Sequence, residues 1–208
     1  YQDASLRLLQ SFERELNYNV TLLTLWDEHT LLCCSRWQGL LLLDLKTGKY
    51  NPPPFDCGKE IMNIFIDSQK RIWVAPYNGG LNCLTRGKLL ATYTTRNSSL
   101  SNNVVLSLAE REGQIWIGTD GGGINILDPE TGQFSLLEHI PGRDNYSLPA
   151  NSILCLYNDR NNNMWAGSIR NGLISIREVS MKTYKDVLPG NDRGLSNSTV
   201  LSLFQESE

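Results

Sequence analysis

Apolar and polar positions along this chain follow one pattern that returns several times. Met62/Ile64, Leu106/Leu108 and Leu154/Leu156 alternate with polar neighbours, and each pair leads into a polar turn at 67 to 71, 110 to 114 or 158 to 163. A short apolar run around a Trp follows, so each segment reads as a β-hairpin. Small or polar residues and a Gly come next (77 to 79, 119 to 122, 168 to 171), then a third apolar run such as Ile124 to Leu127. A further turn, DLKTG at 44 to 48, TRG at 85 to 87 or DPETG at 128 to 132, leads to a fourth run such as Lys88 to Tyr93 or Gln133 to Leu137. Helical spacing is missing from these units, which argues against an α-solenoid.

The unit is marked by a Trp followed seven residues later by a Gly, as Trp73/Gly80, Trp116/Gly123 and Trp165/Gly172. A more worn copy precedes them, with Gly39 in place and Leu32 where the Trp would stand. From Gly39 to Gly80, Gly123 and Gly172 the steps are 41, 43 and 49 residues, close to the roughly 40 to 50 residues of one four-stranded propeller blade. The predicted fold class is all-β: a β-propeller segment of four-stranded antiparallel blades, about four complete and partial at both ends. Residues 1–19 read as the outer strand and exit loop of a preceding blade. Blades then occupy 20–60, 61–103, 104–152 and 153–199, and 200–208 reads as the first strand of a further blade. The spacing of Leu8, Leu9, Phe12 and Leu16 would also suit a short helix. On this reading the chain is a piece of something longer. Alone it should expose strand edges and blade faces, and either self-associate or form an open arc.

Composition narrows the function. A net charge of -3 with no Lys/Arg cluster argues against direct nucleic-acid binding, which needs a basic face. Unbroken apolar stretches such as Gly39 to Leu43 are far short of a membrane span, and no signal-peptide pattern is visible. Of the five cysteines, Cys33, Cys34, Cys83 and Cys155 fall on strand positions held by small or apolar residues in the sister copies. No CxxC or Cys/His ligand spacing occurs, so they read as structural free thiols, and neither a metal nor a cofactor is implied. GTDGGG (118 to 123) superficially resembles a phosphate loop, but it lacks the Gly-Lys-Ser/Thr ending and leads into a strand rather than a helix. The sequons at Asn19, Asn97, Asn145 and Asn197 fall mostly in turn or linker segments, where Asn is common anyway. His29 and His139 are far apart in the chain and read as surface residues.

The stretches IWIGTDGGGINILDPETGQF and SLSNNVVLSL resemble the regulator-propeller repeats of bacterial hybrid two-component sensors. The likeness runs over residues 17 to 208 and is strongest in the third blade; the first lacks its Trp, and the fourth has Gly-Ser-Ile-Arg-Asn-Gly for Gly-Thr-Asp-Gly-Gly-Gly. It implies a periplasmic sensor region whose histidine kinase, receiver and DNA-binding parts lie outside these residues. It further implies an oligosaccharide signal, a homodimeric parent, and membrane attachment only through parts not present here. The fragment itself is then not an enzyme.

Propeller topology locates the candidate site. In a four-stranded meander the loop between strands two and three and the linker to the next blade emerge on one face. That face should carry Arg36, Trp37, Tyr77, Asn78, Asp120, Arg170 and Asn171, with the linkers 97 to 103 and 145 to 151. These loops differ in chemistry from blade to blade while the strands repeat. Trp37 and Tyr77 could stack on sugar rings, and Asn78, Asp120 and Arg170 could bond hydroxyls or an acidic sugar. Trp73, Trp116 and Trp165 are expected in the core between blades, with Gly80, Gly123 and Gly172 as turn residues. Two rivals stay open: a protein-binding scaffold using the same rim, and a propeller lyase or glycosidase. The last would need a carboxylate pair or a His/acid group, and Asp120 is the single acid in the mapped turns.

Overall fold

The computed structural model describes residues 20–35, 39–53, 60–85, 88–142, 147–177, 180–184 and 199–203. Four antiparallel sheets of four strands each are arranged as a β-propeller, every sheet a simple meander in chain order. Blade one has β1 (Leu22–Asp27), β2 (Thr30–Ser35), β3 (Gly39–Asp44) and β4 (Tyr50–Asn51). Blade two has β5 (Ile61–Ile66), β6 (Ile72–Pro76), β7 (Leu81–Thr85) and β8 (Lys88–Tyr93). Blade three has β9 (Val105–Arg111), β10 (Gln114–Thr119), β11 (Ile124–Leu127) and β12 (Phe134–Leu137). Blade four has β13 (Ile153–Asn158), β14 (Met164–Ser168), β15 (Leu173–Arg177) and β16 (Ser180–Tyr184). The helix or outer-strand question at residues 6 to 20 falls almost wholly outside the described residues.

Because side chains alternate across a strand, a blade has two apolar faces, and neighbouring blades bury them against each other at each seam. Leu32, Cys34 and Leu40 of blade one meet Ile61, Ile64, Ile72 and Val74 of blade two. Trp73, Ala75, Leu81 and Cys83 on the other face of blade two meet Val105, Leu108, Ile115 and Ile117. Trp116 and Ile124 meet Ile153, Met164, Ala166 and Ile174 of blade four. Inner strands pack in succession, β1 on β5, β5 on β9 and β9 on β13, and among the described residues β13 and β1 share no packing of that extent.

One device recurs at every seam after the first. A register irregularity at the start of the inner strand aims its third residue at the next blade. Asn63 Nδ2 donates to Leu106 O at 2.9 Å, Ser107 Oγ to Ile153 O at 3.3 Å, and Cys155 Sγ to Val200 O at 3.5 Å. Residues 199–203 therefore lie on the far face of blade four as an inner strand would. Small residues beneath make room: a Cβ on Gly118 would stand 2.2 Å from Ser107 Oγ, and one on Gly167 2.5 Å from Cys155 Sγ.

Trp73 and Trp116 are buried. Trp165, expected to match them, is only partly buried, because among the described residues just 199–203 lies over that face. Cys33, Cys34, Cys83 and Cys155 are buried free thiols. Burial pushes Cys34 and Cys83 each up to about 11, which keeps them protonated and unreactive at neutral pH. Cys57 lies outside the described residues.

Candidate functional site

Main-chain hydrogen bonds bring the loops between second and third strands together with the linkers. Each loop is tied to its own blade's entry: Tyr77 N donates to Glu60 O, Asp120 N to Val104 O, and Ile169 N to Ser152 O. Two loops are also tied forward to the next linker, Gly80 N to Asn103 O and Gly123 N to Asn151 O. Tyr77, Asn78, Asp120, Arg170 and Asn171 consequently share one face of the described propeller. Arg36 and Trp37 lie outside the described residues.

Within that face the candidates differ in how committed they are. Asp120 Oδ1 accepts Ser152 Oγ–H at 2.8 Å, and its carbonyl accepts Asn102 Nδ2 at 2.6 Å. Asn171 donates Nδ2 to Pro149 O at 2.7 Å. Both therefore hold loop to linker while keeping a second polar atom for other use. Tyr77 is 53% exposed. Asn78 and Arg170 are exposed at φ 51 and 68, and among the described residues neither spends its side chain on a hydrogen bond. Such left-handed backbone is unusual for a residue with a Cβ; Gly80 and Gly172, two residues further along each chain, repeat it at φ 75 and 76. Gly80 has a second constraint, since a Cβ there would lie 2.1 Å from Tyr93 O.

The linkers carry polar side chains that the strand pattern conceals. Asn125, buried within β11, accepts Ser101 N and donates to Ser101 Oγ at 2.7 Å; Ser101 Oγ in turn donates to Gly122 O. Asn97 takes Thr94 N–H on Oδ1 and donates to Thr92 O, so it organises a turn. His139 has Nδ1 2.7 Å from Leu148 O, and its backbone N–H donates to Asn151 Oδ1.

The opposite face, built from the hairpin turns, holds a set that sequence reasoning missed. Asp67 Oδ2 accepts Trp73 Nε1–H at 2.9 Å and Arg71 Nε–H at 2.6 Å, and Oδ1 accepts Arg71 N–H. Arg71 reaches across the seam to Glu130 at 2.8 Å and lies over the Trp73 ring. Asp159 repeats the arrangement, accepting Trp165 Nε1–H at 2.9 Å and the Asn161 and Asn163 N–H groups. Burial pushes the Asp159 carboxyl up, but its hydrogen bonds from Trp165, Asn163 and Asn161 outweigh that and lower it to about 2. An Asp six residues ahead of the Trp in both blades was the available signal. Blade three departs from it: with a two-residue turn at Glu112 and Gly113, φ 55 and 78, buried Trp116 Nε1 has no hydrogen-bond partner among the described residues.

The family model described as two component regulator propeller matches residues 99–121 and 147–170. These segments span linker, inner strand, Trp strand and loop of blades three and four. The extracellular domain of BT4673 from B. thetaiotaomicron, described in one solved structure as a putative one component system and in another as a putative hybrid two component system, is 26% identical, with TM-scores of 0.71 and 0.70 over 91% and 89% of this chain and 25% and 24% of that one. The corresponding domain of BT3049 from the same organism shares the fold at 18% identity and a TM-score of 0.54, over 84% of this chain and 30% of that one. A computationally designed protein, Ika4, shares it at 13% identity and a TM-score of 0.56, over 77% and 92%. The chain thus spans about a quarter of the first solved relative's length. No curated protein matches it. Among the described residues no helix is long and apolar enough to cross a membrane. With four-stranded blades and a recurring Trp strand, the chain is a β-propeller segment, and its blades three and four carry segments that match the two component regulator propeller model in one register.

Proposed function

We propose that this propeller segment is the periplasmic ligand-sensing portion of a hybrid two-component regulator, that its ligand is an oligosaccharide, and that occupancy is relayed to a histidine kinase outside these residues. One observation carries the reading: repeated main-chain bonds gather loops of differing chemistry, Tyr77/Asn78, Asp120 and Arg170/Asn171, onto one face of an otherwise repetitive scaffold. The likeness to the extracellular domain described as that of the putative hybrid two component system BT4673 supports both the location and the signalling role. Tyr77 supplies a ring face for a sugar, and Asn78 and Arg170 supply donors for hydroxyls or a carboxylate. The parent would act as a homodimer, and the fragment would do no chemistry itself.

Calorimetry of the whole periplasmic region against a panel of oligosaccharides tests this. Tyr77→Ala should weaken the ligand about 5- to 150-fold, the loss of 1 to 3 kcal/mol. Lys46→Ala, in an exposed turn of the opposite face, should leave it unchanged. Glu130→Ala would be a poor control, because it strips Arg71 of a partner. A ligand weakened only by Lys46→Ala would move the site to the other face.

A further inference from the structure

The seam between blades one and two is built differently from the next one, and a hollow of ≈ 220 Å³ opens there, lined by Trp26, Ile66, Lys70 and Ile72. Trp26, Ile66 and Ile72 belong to the same packed cluster as Leu32. Leu32 holds the position that Trp73 holds one blade later: Leu32 pairs with Thr24 on β1 as Trp73 pairs with Phe65 on β5. In the later seam an indole fills the interface, fixed by Asp67 and overlaid by Arg71. In the earlier seam the indole is replaced by a smaller side chain. Trp26 stands next to Leu25 as Asp67 stands next to Ile66, so no carboxylate occupies that position either.

From this geometry we infer that the hollow is a binding site for a small planar aromatic carboxylate, of the size of an indole ring. Its walls are apolar and aromatic, which suits a flat ring better than a hydroxyl-rich sugar. An apolar cavity of about 150 Å³ already accepts benzene, so the larger hollow admits a bicyclic ring. Among the described residues Lys70 is the one charged liner, exposed at the hairpin turn with φ 62, where its ammonium can meet an anion at the rim while the ring lies on the isoleucines. The site sits at the hairpin-turn end of β5 and β6, whereas Tyr77 and Asn78 follow the other end of β6. It is therefore independent of the proposed oligosaccharide face.

Titration of the 208-residue chain with indole-3-carboxylate, and in parallel with uncharged indole, tests the site by NMR. Saturable binding of both is expected, with shifts at the Trp26 indole N–H and across 66 to 72. Lys70→Gln should weaken the carboxylate about two- to fivefold and leave indole unchanged, as expected for an exposed charge contact. Ile66→Trp, which fills the hollow, should weaken both about tenfold or more while the melt stays cooperative. Absence of saturable shifts at Trp26 up to millimolar ligand, or shifts confined to another region, overturns the assignment. So does a folded Ile66→Trp chain that binds as well as wild type. If Ile66→Trp fails to fold, the Trp26 shifts and their response to Lys70→Gln decide. Equal effects of Lys70→Gln on both ligands overturn the anion contact.

Discussion

Trp73 and Trp116 occupy equivalent strand positions, yet their indole N–H groups meet opposite fates. Trp73 donates to Asp67, while buried Trp116 Nε1 has no partner among the described residues. A hydrogen bond to a charged acceptor contributes more than a neutral one, whereas a buried donor without a partner is a cost already borne by the fold. Trp73→Phe should therefore destabilise by about 1.5–3 kcal/mol more than Trp116→Phe. Urea denaturation of the two variants checks it, and equal losses would contradict the hydrogen-bond assignment. Asp159 makes a second test through pH. Its folded-state value of about 2 lies below the ordinary 3.8, so the folded form favours the carboxylate. The resulting stability is fully present above about pH 4 and disappears as pH falls toward 2. Melting temperatures between pH 5 and 2 should fall less steeply for Asp159→Asn than for wild type. The Asp–Trp pairing was legible as a spacing, but its function as an acceptor for a buried indole required the turn to fold back over the ring.

At the scale of elements, the loop between second and third strands is the most tightly specified part of a blade. Gly123 has φ 73, and a Cβ there would lie 2.2 Å from Leu137 O on the outer strand. Both the backbone conformation and the close approach exclude a side chain. Gly123→Ala should cost more than about 1 kcal/mol, whereas Gly132→Ala meets no atom within 4 Å and suffers from its φ of 71 alone. Thermal melts of the two variants check the difference; identical losses would mean that the outer strand yields freely. The recurring Gly was visible as a repeat marker, and its reason, the passage of a neighbouring strand's carbonyl, came from the pairing of third and fourth strands. Seam bonds from Asn63, Ser107 and Cys155 were hidden because three unlike residues perform one function.

For the whole molecule, the informative surface is the outer face of blade one. Leu23 and Leu25 are 60% and 62% exposed, although their equivalents Ile64 and Ile66 on β5 lie in the packed seam with blade one. Cys33, Leu41 and Leu43 on the same face are buried, so the exposed part is its β1 margin, and an apolar margin in contact with water should drive association. We expect the 208-residue chain to self-associate through this face in a concentration-dependent way, and Leu25→Lys to reduce that association. Light scattering over a range of concentrations decides it, and a wild-type particle that stays monomeric at the highest concentration would contradict the expectation.

The sequence by itself determined the blade: apolar alternation, turn residues and the Trp/Gly register are local properties, and each strand is short enough for neighbours in the chain to specify it. It also indicated which loops share a face, because that follows from meander topology alone. Only the tertiary structure decided what those residues do there. Asp120 and Asn171 turn out to clasp linkers as well as face solvent, and Trp26 of one blade and Ile66 and Ile72 of the next leave a hollow that no one of them announces singly. Such features arise where two blades meet, from side chains about 40 residues apart in the repeat, and no pattern within one blade encodes the space between two.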